Sequence, residues 1–198
     1  MAAATLGSVG AVQLAPRYPL LTERLSPRPP TRADAPAIHV YKGRADVTHY
    51  VPHGPLSVEQ IAERADRSLS RLTDEGQALN LLVHDRQDGA LLGDVILMWH
   101  SREHRGGEIG YVFDPAHAGH GYATEAAREL LRLGFDELGL HRIVARLDPR
   151  NVASAAVARR LRMRHEAHFV SNEYWHGEWT DEDRYALLEE EWRAATVG

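Results

Sequence analysis

Residues 108–138, EIGYVFDPAHAGHGYATEAARELLRLGFDEL, join three local patterns in one run. The alternation over residues 108–113 predicts a β-strand that ends before a proline. In the second half of the run, apolar residues recur with the 3.6-residue period, which predicts a long helix with one buried face. Between strand and helix, Gly119 and Gly121 allow the backbone to approach a ligand closely. Because a helix N-terminus carries unpaired N–H groups and a partial positive charge, this turn is suited to a phosphate group.

Two familiar nucleotide-binding glycine motifs do not fit this turn. A Walker loop requires Lys followed by Ser or Thr after its second glycine, and Gly121 is followed by Tyr122 and Ala123. The dinucleotide fingerprint requires Gly or Ala at the position that Thr124 occupies. A nucleoside triphosphate and NAD are therefore disfavoured. A plain tight turn into a structural helix is the alternative reading of the same residues.

The chain before this run predicts a strand and two helices. Residues 22–25 are typical of a short strand, which the following prolines end. Thr31 and Asp34 suit a helix start. From Ser57 to Leu72 the apolar residues fall at steps of three and four, which predicts a helix capped by Ser57.

The remaining elements are strands and one further helix. Two apolar runs joined by a turn-forming segment predict an antiparallel hairpin over residues 78–84 and 91–99. A strand over 142–147 is followed by a helix that begins at Asn151. A second hairpin, with strands 164–170 and 183–188, encloses a loop rich in Trp and acidic residues. The order of elements predicts a mixed α/β (α+β) fold in one domain, residues 20–198, after a disordered leader, residues 1–19.

Composition and charge exclude several function classes. The 198 residues include 23 Lys and Arg against 28 Asp and Glu, a net charge of −5, which offers no surface for a nucleic-acid backbone. The absence of cysteine removes a cysteine nucleophile and cysteine metal sites, and the histidine spacing fits no zinc motif. The longest apolar run, residues 91–99, is too short for a bilayer. We expect a cytoplasmic protein with no nucleic-acid or membrane partner and no metal.

Several segments, in this order and spacing, carry a family resemblance: residues 22–25 with 28–31, 108–111, 119–126 and 151–154. On these residues the sequence resembles the GNAT superfamily of N-acetyltransferases, in the branch of the ribosomal-protein alanine N-acetyltransferases and related small-molecule acetyltransferases. The resemblance covers most of residues 20–190. It implies a central, mostly antiparallel twisted sheet of about six to seven strands, flanked by about four helices, with a splayed strand pair that holds the cofactor.

The resemblance also implies how acetyl-CoA binds. The amides that would hold its pyrophosphate are those of Gly119, His120, Gly121, Tyr122, Ala123 and Thr124. The pantetheine arm would pair with the preceding strand at Val112 and Phe113, and Asn151 would donate a hydrogen bond to it. Asn151 is equally a good helix N-cap, and His120 is equally a solvated loop residue. The family's Gln or Arg before the turn is here Ala116, so any side-chain phosphate contact from that position is lost.

Two residues are candidates for the chemical steps. Many relatives place a Tyr as acid where this chain has Ala158, which leaves the Ser154 hydroxyl to protonate the departing thiolate. Glu108, at the open end of the strand, is the candidate base for the acceptor ammonium. Each residue is equally compatible with a solvated structural role. The reserve bases are His100, His104 and Asp148.

Residues 172–181 combine aromatic and acidic side chains where the family often builds its acceptor wall, and Glu173, Tyr174 and Trp175 are the candidate substrate contacts. A surface hairpin whose Trp residues pack on the body is the alternative. The expected function is acetyl transfer to a small-molecule amine, a metabolite or an antibiotic, by direct attack in a ternary complex. A protein N-terminal acetyltransferase and a non-catalytic CoA-binding domain are the alternatives. We expect a monomer or homodimer.

The end of the helix that begins at Asn151 departs from the family. The family places a glycine where this chain has Arg162. A glycine there usually takes a left-handed conformation that satisfies the last helical carbonyls. Because the following residues still match without an insertion, we expect Arg162 to adopt a positive φ and store strain.

Overall fold

The computed structural model describes residues 13–196, and one six-stranded sheet organises them. Its strands are β1 Ala78–His84, β2 Leu91–Ser101, β3 Gly106–Phe113, β4 Arg142–Leu147, β5 Arg164–Trp175 and β6 Glu178–Leu188. The strand order is β1-β2-β3-β4-β6-β5. Every neighbouring pair is antiparallel except β3 with β4, which is parallel. The predicted mixed α/β domain with a mostly antiparallel sheet is confirmed.

Six α-helices lie within residues 13–196. They are α1 Ala35–Lys42, α2 Ala45–Thr48, α3 Val58–Asp66, α4 Tyr122–Arg132, α5 Val152–Arg160 and α6 Glu189–Thr196. Helix α4 continues into a π-helical turn over Leu133–Glu137. Helix α2 is a single turn, too short to show a period in the sequence, and α6 is held by Trp192, which stacks on Phe135.

Helix α3 confirms its predicted start and corrects its predicted end. The Ser57 side chain accepts from the Gln60 amide at 3.2 Å, and the Gln60 side chain accepts from the Ser57 amide at 2.9 Å, which completes a capping box. The helix ends at Asp66, whereas the prediction extended it to Leu72. Leu72 instead exchanges two backbone hydrogen bonds with Leu14. The apolar spacing continues past the helix because Leu72 is buried in an extended segment.

The predicted first strand, residues 22–25, is not a regular strand. Its last residue, Leu25, makes an isolated bridge to Asp85, and Arg28 makes another to Leu82. The prolines after Leu25 prevent a continuous ladder because they lack an N–H donor. Of the predicted leader, residues 1–12 lie outside the described residues, and Leu14 is fully buried.

Helices cover the two faces of the sheet unequally. Leu81, Leu97, Ile109 and Ile143 point to the face that packs on α4 and α5, and they belong to the main core. Leu82, on the opposite face, belongs to a smaller core with α1 and α3. Strand residues alternate between the two faces, so the neighbours Leu81 and Leu82 join different cores.

The β5–β6 hairpin is longer than predicted. Its strands continue to Trp175 and resume at Glu178, so the expected loop is reduced to the turn His176-Gly177, with φ values of 54° and 87°. The aromatic and acidic residues of this segment alternate along two paired strands with largely exposed faces. Exposed strands lack the apolar alternation that marks a half-buried strand, and the sequence therefore reads as a loop.

The sheet opens between β3 and β4, as the predicted splayed strand pair requires. The two strands pair only across residues 106–108 and 142–144. Beyond that point β3 remains paired to β2 as far as Phe113, and β4 remains paired to β6 as far as Leu147. Within residues 13–196, the inner edges of β3 and β4 past this point therefore carry no partner strand.

Candidate active site

The glycine turn lies at the open end of β3. The Asp114 side chain accepts from the Ala116 amide at 3.0 Å and begins a short 3₁₀ turn. Gly119 and Gly121 then adopt φ values of +85° and +79°, in the left-handed region that side chains with a Cβ rarely enter. Helix α4 begins directly afterwards at Tyr122. The turn thus presents a helix N-terminus to the gap between β3 and β4.

A cavity of about 520 Å³ fills this gap. Nine of the residues predicted to bind the cofactor or act in catalysis line it: Val112, Phe113, Gly119, Gly121, Tyr122, Ala123, Thr124, Asn151 and Ser154. His120 is not among the lining residues, and its ring stacks on the Tyr122 ring at a centroid distance of 5.6 Å. The sequence did not identify the wall formed by α2 and the loop after it, including Asp46, Tyr50 and Val51.

The residues around the cavity fit acetyl-CoA. The unpaired inner edge of β3 offers backbone groups to an extended arm, as an added strand would use them. The α4 N-terminus offers amide donors to a phosphate. Arg160 lies at the same end and donates to the Thr124 hydroxyl at 3.3 Å. Arg160 supplies a positive charge that the sequence does not single out, because Arg160 is one of many exposed helical arginines.

Asn151 and Ser154 lie together at the start of α5. The Asn151 side chain accepts from the Ser154 amide at 3.0 Å, so Asn151 is the N-cap of this helix. The hydroxyl of the half-buried Tyr111 donates to the Ser154 carbonyl at 2.8 Å. Burial raises the pKa of Tyr111 well above its ordinary value, so the phenol stays protonated. Tyr111 lines the cavity. In the sequence, only its place in the strand motif of residues 108–111 pointed to a role at the site.

Glu108 lies at the point where β3 and β4 separate. Its carboxylate is buried and lies 3.0 Å from His100 Nε2. It also accepts from Arg146 Nε at 3.2 Å. Neither Glu108 nor His100 lines the cavity. Glu108, predicted at the open end of the strand, instead occupies the last paired position of the β3–β4 junction.

Arg146 forms ion pairs with carboxylates on neighbouring strands. Its guanidinium lies 3.4 Å from Glu173 and 3.4 Å from the buried Glu182, in addition to Glu108. Glu182 also accepts from Arg184 at 2.9 Å. The predicted contact Glu173 therefore belongs to this charged cluster, which Arg146 organises and the sequence did not reveal.

The two predicted aromatic contacts lie away from the cavity. Tyr174 is exposed and packs on Trp179 at a ring distance of 5.3 Å. Trp175 pairs with Glu178 at the hairpin end. The hairpin does reach the cavity wall through its turn, where His176 Nε2 lies 3.0 Å from the Val51 carbonyl oxygen.

The other reserve bases have separate surroundings. Asp148 is buried and accepts from Arg150 at 2.7 Å. Burial alone would raise the pKa of Asp148, but the hydrogen bonds from Arg150 hold that pKa below its ordinary value. His104 lies in the exposed β2–β3 turn, where its amide donates to Ser101. In the described part of the chain, no group of three or more His, Asp or Glu could hold a metal ion. Among residues 13–196, no helix has the length and apolarity needed to cross a bilayer.

Comparison with known proteins identifies the family. Residues 24–164 match the acetyltransferase (GNAT) domain. The chain is 34% identical over 173 residues to the uncharacterized N-acetyltransferase YnaD of Bacillus subtilis, covering 87% of this chain and 98% of that protein. It is 34% identical to the GNAT-family acetyltransferase of Bacillus anthracis, whose crystal structure superposes with a TM-score of 0.77 over 86% of this chain and 98% of that one. The spermidine N(1)-acetyltransferase of Escherichia coli is 24% identical over 167 residues, which is 84% of this chain and 87% of that enzyme.

The matched segment contains the glycine turn, the splayed strands and the start of α5. The resemblance to the GNAT superfamily, inferred from the sequence motifs, is thereby confirmed. The chain belongs to the GNAT family of acetyltransferases and is an acetyl-CoA-dependent N-acyltransferase.

Proposed function

We propose that the enzyme acetylates a small, positively charged amine. The observation that carries this proposal is the carboxylate cluster of Glu108, Glu173 and Glu182 beside the β3–β4 junction. Such a cluster favours an ammonium group over a neutral or anionic acceptor. Arg146 and Arg184 offset part of its charge, which favours acceptors of low charge. The relative named for spermidine acetylation supports a small amine as acceptor.

We assign the cofactor to the 520 Å³ cavity. Bound there, acetyl-CoA supplies the activated acetyl thioester. The amides of the glycine turn and the Arg160 guanidinium would hold its phosphates, and the inner edge of β3 at Val112 and Phe113 would bind its pantetheine arm. Asn151 would add a side-chain hydrogen bond from the start of α5.

The acceptor nitrogen attacks only as a free amine, so its ammonium must first lose a proton. We assign this step to His100 and Glu108 acting together. With Nε2–H donating to the Glu108 carboxylate at 3.0 Å, the His100 Nδ1 lone pair is free to accept that proton. Glu108 then orients the ring and stabilises the imidazolium that forms. Ser154, in the cavity wall, is the proposed proton donor to the leaving thiolate, and its hydroxyl regains a proton from solvent.

The contact between His176 and Val51 favours a small acceptor over a peptide. It links the β5–β6 hairpin to Val51 in the cavity wall, and we propose that this bridge encloses the acceptor. An extended peptide requires an open slot instead. The protein N-terminal activity is therefore the second candidate.

An acceptor panel tests the proposal. Release of free CoA from acetyl-CoA is followed with monoamines, diamines, spermidine, aminoglycosides and short peptides with a free N-terminus. We expect turnover with at least one small amine and none with the peptides. Turnover confined to peptides would instead establish the N-terminal activity. CoA binding without turnover on any amine would refute the assignment of a small acceptor.

A further inference from the structure

The segment around Arg24 is fastened to the start of α4 although the two lie about a hundred residues apart. The Arg24 amide donates to Glu125 Oε1 at 2.8 Å, and its Nε donates to Oε2 at 2.7 Å. The Thr22 hydroxyl donates to the same carboxylate at 2.5 Å. Both segments belong to the motifs that carry the family resemblance, and the sequence offers no reason for their connection.

Glu125 is a firm anchor for the Arg24 guanidinium. Its side chain is only 16% exposed. Burial alone would raise the pKa of Glu125, but the hydrogen bonds from Thr22 and Arg24 hold that pKa below its ordinary value. The carboxylate is therefore ionised at neutral pH. The guanidinium also lies over the Tyr122 ring, 4.9 Å from its centroid. Together, the contacts with Glu125 and the Tyr122 ring hold the guanidinium in one orientation.

In that orientation Arg24 contacts the glycine turn itself. Its Nη1 donates to the carbonyl oxygen of His120 at 2.9 Å. In a planar trans peptide, the C=O of one residue and the N–H of the next point in opposite directions. With the His120 carbonyl turned toward Arg24, the Gly121 N–H points away from it. Gly121 lines the cavity and Arg24 does not.

We propose that Arg24 is a positioning residue for phosphate binding: it holds the His120–Gly121 peptide so that the Gly121 N–H donates into the cavity. The guanidinium also polarises this peptide and makes its N–H a stronger donor. The inference rests on the proposed cofactor site, and it adds a residue that does not itself touch the cofactor. It also explains why the Arg24 segment and the α4 start occur together.

A purely structural role for Arg24 makes a different prediction. If Arg24 only held its segment against α4, its loss would lower the melting temperature and weaken the binding of every part of the cofactor equally. If Arg24 instead orients one amide, its loss should weaken the binding of ligands that carry phosphate and leave the binding of ligands without phosphate unchanged. CoA and pantetheine therefore separate the two roles.

The experiment compares Arg24→Ala, Arg24→Lys and Arg28→Ala with the unaltered chain. Arg28 is the matched control, because it makes a bidentate ion pair with Asp34 and no contact with the turn. CoA affinity is measured by calorimetry and pantetheine affinity by NMR titration. For Arg24→Ala we expect about ten-fold weaker CoA binding, with pantetheine affinity within about two-fold. Arg24→Lys restores part of the CoA affinity, and Arg28→Ala leaves both affinities unchanged.

Unchanged CoA affinity in Arg24→Ala, or an equal loss for both ligands, would overturn the inference while leaving the proposed function standing. Failure of the unaltered chain to bind CoA would overturn both. Should Arg24→Ala not fold, Glu125→Gln replaces it, because that change keeps the side-chain shape and loosens the guanidinium. We then expect a smaller loss of CoA affinity with pantetheine unaffected, and no loss of CoA affinity would again contradict the inference.

Discussion

At the scale of single residues, Gly121 provides the sharpest test of the phosphate turn. Its φ of +79° strains any residue with a Cβ. We expect Gly121→Val to weaken CoA binding by about ten-fold or more, because the peptide must leave the conformation that presents its amide. Calorimetry measures the effect. Gly89, with a φ of +76° and open space around it, is the control: Gly89→Val should cost similar stability and leave CoA affinity intact.

The His100–Glu108 pair provides a second test at this scale. We expect Glu108→Gln to lower kcat by about 100-fold with little change in CoA affinity, because the pair acts on the acceptor proton. His100→Ala should lower kcat to a similar extent, and the effects should not add when both are combined, since the residues act as a unit. His104→Ala, in the neighbouring turn, should leave kcat unchanged. Full turnover of Glu108→Gln across about pH 6 to 9 would reduce Glu108 to a structural residue.

At the scale of elements, the end of α5 confirms the conformation expected of Arg162. Its φ is +61°, and its amide donates to the Arg159 carbonyl at 2.9 Å. The Met163 amide donates to the Ala158 carbonyl at 3.0 Å, and both residues are buried. These bonds form a Schellman motif, in which the strained position usually holds a glycine.

We expect Arg162→Gly to stabilise the protein by about 1 kcal/mol because it removes the Cβ from the left-handed position. For a domain of this size, the melting temperature should rise by about 2–4 °C. Arg159→Gly, at an exposed position in the last turn of the same helix, is the opposite control and should lower the melting temperature. A lower melting temperature for Arg162→Gly would refute the account of strain.

The 3₁₀ turn Arg32–Asp34, which precedes α1, is held by an ionised carboxylate. Asp34 accepts from Arg28 at 2.6 Å and 2.9 Å and from the Thr31 amide at 2.7 Å. The hydrogen bonds from Arg28 lower the pKa of Asp34 well below its ordinary value, against the opposing effect of burial. Because the folded-state pKa is depressed, ionised Asp34 adds to the free energy of unfolding. This contribution is complete above the unfolded-state pKa of about 4 and is lost as the pH falls further.

Asp34→Asn should therefore lower the free energy of unfolding by about 1 kcal/mol at neutral pH, and the difference from the unaltered chain should shrink below about pH 4. Urea unfolding at several pH values measures this convergence. Asp66→Asn is the control, since Asp66 forms an exposed pair with Arg32 and should change stability by less than about 0.5 kcal/mol. A difference that stays constant down to about pH 2 would contradict the linkage.

At the scale of the whole molecule, the sheet consists of two parts that share a short seam. Strands β1 to β3 form one part and β4 to β6 the other, and they pair through three residues on each side. A ligand in the gap would contact both parts. We expect CoA at about 100 times its Kd to stabilise the protein by about 2.7 kcal/mol, which raises the melting temperature by about 5–10 °C. A thermal shift series against CoA concentration measures this, and an unchanged melting temperature at saturation would contradict the placement of CoA in the gap.

The sequence by itself determined the features that depend on neighbouring residues. Strand β1 over 78–84 and strand β4 over 142–147 have their predicted bounds, and α3 begins at its predicted cap. The glycine turn before α4 and the positive φ of Arg162 were also predicted correctly, because periodicity, capping and left-handed backbone positions are set within a few residues.

Only the tertiary structure decided which side chains meet. The ion pair of Glu108 with Arg146 joins residues 38 positions apart, and the hydrogen bond of Arg24 with Glu125 joins residues 101 apart. No local rule brings such residues together, because strand order and the packing of segments on the sheet set these distances. For the same reason the sequence grouped Glu173 with its aromatic neighbours. Side chains alternate along a strand, and the sheet turns Glu173 toward Arg146 while the exposed Tyr174 packs on Trp179.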